Sequence, residues 1–282
     1  MEAQLVETAI LNIINHQSLI ATKASRVVHA AQGNGVMEFG LRRAQGPDAG
    51  LYGARAAMIG GCVGTSNVLA GKMFDVPVLG THAHSWIMSF PDEYTAFKEY
   101  ARLYPDACTL LVDTYDTLKS GVPNAIRVFQ EMKDAGIHPK SYGIRLDSGD
   151  LAYLSKKARK MLDEAGFPDA VIAASNDLDE FLINDLKIQG AAITSWGVGT
   201  NLITSKDCPS FGGVYKLAAI QNKDGEFVPK IKISENIEKI TNPGNKTIYR
   251  IYDKDTGKYI SPKIISYHHD ETTGKYIPQI IT

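Results

Sequence analysis

The stretch Arg145-Leu146-Asp147-Ser148-Gly149-Asp150 brings a guanidinium and two carboxylates together directly after the apolar run YGI. Such a set can hold an anion, a sugar diol and a divalent cation at once. Alternate strand residues share a face, so Arg145 and Asp147 are expected to point the same way, although Asp147 or Ser148 could instead cap a helix starting at Leu151. Asp113-Thr114-Tyr115-Asp116 follows TLLV, and either carboxylate could ligate Mg²⁺ or accept from a sugar hydroxyl. Thr81-His82-Ala83-His84-Ser85 follows VPVLG with the H-x-H spacing of metal ligands. No further histidine stands at another strand end, His138 and His268-His269 falling elsewhere, so one of the pair is read as catalytic.

Three more segments complete the set. Ser175-Asn176-Asp177 follows VIAA. Gly197-Val198-Gly199-Thr200 follows AAITSW and, with Phe211-Gly212-Gly213-Val214-Tyr215-Lys216, reads as a two-loop phosphate cradle; Thr200, Ser205 and Ser210 add hydroxyl donors. VVHAA and a glycine-rich turn lead to Phe39, Arg42 and Arg43, an aromatic beside arginines that suits a planar ring carrying a carboxylate or phosphate.

These residues need elements that aim them at one place. From Val63 to about Thr200 the pattern alternates strand and helix, the rhythm of parallel βαβ units. Helices are expected over 48–61, 68–74, 92–103, 121–135, 151–165 and 179–185. In an α/β barrel the carboxyl ends of the strands converge on one mouth, so the six polar ends predict a single site. An opening helix reaches about residue 31, broken near Ala24 to free VVHAA as a strand, with Leu5, Ile10, Ile13, Ile14 and Leu19 as its apolar face. The stretch 60–67 reads as a glycine-rich turn. Beyond residue 221 the texture turns to Lys, Ile, Tyr and Thr, with hairpin signals at Asn222-Lys223-Asp224-Gly225 and Asp255-Thr256-Gly257. The expected organisation is a barrel over 1–221 and a small β-rich appendage over 222–282, part of an incomplete second domain, with both termini cut within structure.

The bulk numbers exclude some functions. Thirty basic against 31 acidic residues leave a net charge of −1 over 282 residues, which gives no broad electrostatic case for nucleic acid or a membrane surface. Hydrophobic content of 44% suits a globular domain, and no stretch reaches the roughly 18 apolar residues of a membrane span. Three scattered cysteines and no signal-peptide pattern point to a cytoplasmic, reducing setting.

The series EFGLRRAQG, GGCVGTSNVLAG, VLGTHAHSW, LLVDTYDT, YGIRLDSGDL, AASNDLDE, GVGTNL and GGVYKLA resembles the nicotinate phosphoribosyltransferase family in order and spacing, from the first helix to about residue 250. The resemblance implies a phosphoribosyltransferase-type α/β barrel with a second domain. It implies transfer of phosphoribose from 5-phosphoribosyl 1-diphosphate (PRPP) to nicotinate, giving nicotinate mononucleotide and diphosphate as the first step of NAD salvage from nicotinate. Coupling to ATP would run through a phosphohistidine, which the family's G-T-x-A-H-S element places on His84. Phe39, Ser66 and Asn67 would hold nicotinate; Ser66 stands where nicotinamide-using relatives prefer an aspartate. Arg42, Arg145, Asp147, Ser175, Asn176, Gly199, Thr200, Gly212 and Gly213 would bind PRPP and its phosphates, with Asp113 near Mg-diphosphate. Catalysis would rest on His84, Arg145, Asp147 and Asp113, and the expected assembly is a homodimer with the site near the subunit interface. Expected co-reactants are Mg²⁺ and ATP. The alternatives are a barrel fragment that only binds nucleotide or dimerises, a sister enzyme using nicotinamide or quinolinate, and, less favoured, a metal-dependent barrel hydrolase.

Overall fold

The computed structural model describes the backbone of residues 2–235, 240–244, 246–270 and 275–281, and the side chains of these up to residue 262. Two compact units result, Met1–Gly212 and Gly213–Thr282. The boundary falls earlier than the composition shift at 222. Strand β7 (Ala219–Gln221) pairs antiparallel with β8 (Phe227–Pro229), so it belongs with the appendage rather than the barrel.

The first unit is built on six parallel strands: β1 (Gly35–Glu38), β2 (Gly64–Thr65), β3 (Ala107–Leu111), β4 (Ser141–Leu146), β5 (Val171–Ala174) and β6 (Ser195–Val198), in the order β2-β1-β6-β5-β4-β3. The sheet curls into a half-barrel. Its strands read as apolar runs, as expected where both faces are covered, and Leu110, Leu111, Ile144, Leu146, Ile172 and Trp196 are fully buried.

Helices pack outside through single apolar stripes. Leu151, Ala152, Ser155, Ala158 and Leu162 are the buried positions of α8 (Leu151–Glu164), and Val122, Ala125, Val128, Phe129 and Met132 those of α7 (Val122–Asp134). Side-chain caps start several of them: Asp92 for α6 (Glu93–Leu103), Asp150 for α8 and Asp179 for α9 (Glu180–Ile188). Asp150, expected as a site carboxylate, accepts from Tyr153 N at 2.9 Å and is a cap.

Four expectations fail here. VVHAA is the last turn of α2 (Glu7–Ala30), not a strand. Ala24, Val27 and Ala31 fall on the helix's buried stripe, and that packing overrides the β preference of Val27 and Val28. The strand begins instead at Gly35. The short α1 (Glu2–Leu5) and the first half of α2 also expose Leu5, Ile10, Ile13 and Ile14, and of the expected stripe only Leu19 is buried. VPVLG forms no strand, only a bridge from Val78 to Thr65, since Pro77 has no N–H for a ladder. Gly64–Thr65, read as turn, is the strand it meets.

That segment nevertheless spans the open side of the half-barrel. Pro77 O accepts from Thr65 N at 3.0 Å and Leu79 N donates to Thr65 O at 2.9 Å, on the β2 edge. At the β3 edge, Leu111 N–H donates to His82 Nε2 at 3.2 Å. A side chain supplies the acceptor that a ladder would have given.

In the second unit, the order β11-β10-β9 joins Lys275–Ile281, Tyr259–Asp270 and Lys246–Tyr252 in an antiparallel sheet. Both hairpin signals hold. Asn222 Oδ1 accepts from Asp224 N and Glu226 N, and Asp253 Oδ1 from Thr256 N. His268-His269 lie in β10, and their side chains are outside the described residues.

Candidate active site

The ends of β1 and β6 build an aromatic wall. Phe39 N–H donates to Val198 O at 2.8 Å, fixing the residue after β1 against β6. A Cβ on Gly197 would lie 2.5 Å from Phe39 Cε2, and one on Gly199 would lie 3.1 Å from Phe39 O. These glycines therefore make room for the Phe39 turn, a role the expectation of a pure phosphate cradle did not include.

The end of β4 supplies a cationic hub. Arg145 Nε donates to Ser175 Oγ at 2.8 Å, Nη1 to Thr81 Oγ1 at 2.7 Å and Nη2 to Asp147 Oδ1 at 3.1 Å. Ser175 Oγ also donates to Asp147 Oδ1. Two strand ends and the Thr81 segment thereby share one guanidinium, whose fixed fork leaves two N–H groups unspoken for. Its carbon lies 5.6 Å from the centroid of the Phe39 ring, so the cation and the ring attract. Arg145 and Asp147 do point to one side, as strand alternation requires.

The histidines divide sharply. His82 is buried, packed edge-on to Tyr100 with ring centroids 4.6 Å apart and tilted against Phe97. Burial, with the Arg145 charge nearby, pushes its pKa down to about 4, so it is neutral and structural. His84 opens the short helix α5 (His84–Met88), its side chain 39% exposed, and its Nε2 lies 3.2 Å from Asp113 Oδ1.

Asp113 itself is only 1% exposed. Its other oxygen accepts from Asp147 N at 2.9 Å and Ser148 Oγ at 2.6 Å. A carboxylate can only accept, so in the neutral ring of His84 Nε2 carries the proton and Nδ1 keeps its lone pair. With three bonds made and almost no exposure, Asp113 orients His84 and does not suit direct coordination of Mg²⁺. Among the described residues no cluster of three or more His, Cys, Asp or Glu could hold a metal ion.

The remaining expected residues scatter. Arg42 and Ser66 line the cleft, but Asn67 is buried and spent locally: Oδ1 accepts from Ala70 N to cap α4 (Val68–Phe74), and Nδ2 donates to Gly50 O. Asn176 and Asp177 both adopt left-handed backbone at φ 87° and 48°, and Asn201 Nδ2 holds the loop by donating to Asp177 O at 2.7 Å. Thr200 opens the four-residue helix α10 (Thr200–Ile203). Gly212 closes the first unit with nothing within 4 Å of a built Cβ, and Gly213 opens the second. The second cradle loop is therefore not assembled within the first unit. Sequence reasoning missed Thr81, Ser148 and Glu38. Thr81 and Ser148 were visible beside the chosen residues; Glu38 was signalled only by being in phase with buried Val36 along β1.

Phe39, Arg42, Ser66, His84, Arg145 and Asp147 line one cleft of about 350 Å³. A larger cavity of about 590 Å³ lies between α2 and α3 (Pro47–Ile59), but none of the strand-end groups reaches it. The strand-end groups are gathered in the smaller cleft.

A parallel half-barrel that gathers an arginine–carboxylate hub, an aromatic wall and a carboxylate-held histidine defines a site for anionic, diol-bearing and planar ligands. The model of the nicotinate phosphoribosyltransferase (NAPRTase) family matches residues 35–256, and the chain belongs to that family. It is 58% identical over 277 residues to a nicotinate phosphoribosyltransferase of Bacillus subtilis, covering 98% of this chain and 53% of that protein. A nicotinate phosphoribosyltransferase of Dictyostelium discoideum is 41% identical, with 98% of this chain and 54% of that protein covered. The crystal structure of human nicotinic acid phosphoribosyltransferase superposes with a TM-score of 0.76 at 31% identity, over 93% of this chain and 58% of that one. The chain thus spans about half the length of the curated relatives it matches. No helix among the described residues is long and apolar enough to cross a membrane.

Proposed function

We propose that this cleft joins nicotinate to PRPP, forming nicotinate mononucleotide and diphosphate. The observation that carries the reading is the linked set His84–Asp113–Asp147–Arg145–Ser175, in which a half-exposed histidine adjoins an arginine–carboxylate group suited to ribose phosphate. The pyridine nitrogen bonds to C1 of the ribose as the C1–oxygen bond to diphosphate breaks. Positive charge develops on the sugar, so the protein's task is positioning and electrostatic stabilisation. Phe39 provides the ring-stacking face beside Ser66, Arg42 meets phosphate, and Asp147 accepts from the ribose hydroxyls. Ser175, Asn176, Gly199 and Thr200 border the ribose phosphate.

ATP enters the proposal through His84. Nδ1, left with its lone pair by the Asp113 contact, bonds to the γ-phosphorus as ADP leaves, and water later cleaves the phosphohistidine to phosphate. Mg²⁺, when bound, would neutralise diphosphate charge; the half-buried carboxylate of Asp147 and the phosphates themselves suit that contact better than Asp113 does. The family reading extends to a homodimer with the site near the interface. Three free cysteines accord with a reducing cytoplasm.

The test is nicotinate mononucleotide formation from nicotinate, PRPP and Mg²⁺, with and without ATP, for the chain and for His84→Ala. ATP-stimulated product, with the stimulation lost in the variant, supports the whole reading. A folded chain that neither forms product nor binds PRPP overturns it.

A further inference from the structure

Glu38 is the least expected group near the cleft. It ends β1, is fully buried, and its carboxyl pKa is raised by that burial. Taking a carboxylate out of water is costly, and its hydrogen bonds only partly offset the cost, so stability alone is a weak reason for its presence. Its contacts suggest another. Oε1 accepts from Gly40 N–H, and Oε2 accepts from Thr65 Oγ1 at 2.6 Å. The backbone oxygen of Glu38 accepts from Ser66 N at 3.0 Å, and Thr65 Oγ1 in turn accepts from Asn67 N at 3.0 Å.

One residue thus bolts two strand ends together. On one side is the Phe39-Gly40 turn that presents the ring; on the other is the Thr65-Ser66-Asn67 segment. Both Phe39 and Ser66 line the cleft. The turn has little freedom otherwise. A Cβ on Gly40 would lie 2.3 Å from Ile203 Cβ and 2.8 Å from Glu38 Oε1, so only glycine lets the carboxylate reach that amide. Behind the ring, Gly197 leaves no gap into which Phe39 could retreat.

We propose that Glu38 is a positioning residue that sets the spacing between Phe39 and Ser66, and through it the cleft's affinity and selectivity for its planar ring substrate. It touches neither the ring nor the ribose-phosphate hub, so its effect is confined to one substrate. The inference rests on the nicotinate reading of the cleft, and it adds a residue which that reading leaves without a role.

The experiment compares the chain with Glu38→Gln and Glu38→Ala, measuring kcat and KM for nicotinate and PRPP, calorimetric affinity for each ligand alone, and thermal melting. Glu38→Ala frees the turn and is expected to raise KM for nicotinate about tenfold or more, since small misplacements of a binding wall carry such penalties. KM for PRPP and kcat at saturating nicotinate are expected to stay within about threefold. Glu38→Gln keeps the shape and one acceptor, and should recover most of the nicotinate affinity. Equal loss toward both ligands, or an unchanged nicotinate KM, overturns the proposal. Should Glu38→Ala not fold, Glu38→Gln decides: a selective weakening of nicotinate of a few-fold supports positioning, and none overturns it. A chain that binds nicotinate without turning it over sinks the reaction reading alone, and the variants' binding constants still decide the role of Glu38. A chain that binds no nicotinate sinks both.

Discussion

Asp113→Asn is the substitution that bears hardest on the His84 mechanism. The carboxylate accepts from His84 Nε2 at 3.2 Å while its other oxygen accepts from Asp147 N and Ser148 Oγ. An asparagine oxygen can keep the latter pair, which leaves its NH₂ facing His84. That NH₂ demands an acceptor, so Nε2 loses its proton to Nδ1 and the lone pair meant for phosphoryl transfer disappears. Restoring the productive tautomer sets N–H against N–H at a position 1% exposed. The charge-assisted bond given up amounts to about 1.5–3 kcal/mol, and the orphaned buried donor costs about 1–3 kcal/mol. The sum, roughly 2.5–6 kcal/mol, corresponds to about 10²–10⁴-fold slower phosphorylation, the range seen when an orienting aspartate is neutralised beside a catalytic histidine. The assay is acid-labile label transferred from γ-labelled ATP, run beside ATP-independent nicotinate mononucleotide formation and a melting curve. Labelling should collapse while ATP-independent transfer and melting change little. Labelling at the parent rate, or equal loss in both reactions, refutes the tautomer argument.

Two further outcomes follow from the same geometry. Asp147→Ala removes a carboxylate that Arg145 and Ser175 hold in the cleft, and PRPP affinity by calorimetry should fall by about 1–3 kcal/mol; unchanged affinity removes Asp147 from the ribose. His82, with its pKa lowered to about 4 in the folded chain, is neutral there but protonates near 6.5 when unfolded. The unfolded state then binds more protons below pH 6.5, so His82 makes stability fall as pH drops, by about 2 kcal/mol between pH 7 and pH 5. Glu38, whose pKa is raised, acts oppositely and favours the folded state as it protonates. His82→Gln keeps an acceptor for Leu111 N–H, and urea titrations at the two pH values should show the parent's His82 share of the drop gone. An identical pH dependence would falsify the assignment of His82 as a buried neutral latch.

Much of the site was legible because its residues sit where regular structure stops. Apolar runs end at Asp113, Arg145 and Ser175, and the parallel sheet brings those ends together, so the hub Arg145–Asp147–Ser175 follows from the strand pattern. Helix starts were equally readable from Asp92, Asp150 and Asp179, because capping is a local hydrogen bond. The Asp150 cap shows the limit of such reading. A carboxylate beside a motif looks the same in sequence whether it serves a ligand or a helix.

What the sequence alone determined was the inventory of chemical groups, the parallel α/β class and the order of the strand ends, since periodicity and turn chemistry act over a few residues. Tertiary structure decided the rest, through contacts between segments far apart in the chain. Packing on the buried stripe of α2 kept VVHAA helical against its local preference. Burial separated neutral His82 from exposed His84, two residues apart with the same side chain. The approach of β3 and β4 occupied one oxygen of Asp113 with Asp147 N and Ser148 Oγ, and the short helix α5 brought His84 to the other. The joining of β1 to β2 placed Glu38, unremarked in the sequence, between Phe39 and Ser66. Each of these depends on solvent exclusion and on partners distant in sequence, and neither is written into the residue itself.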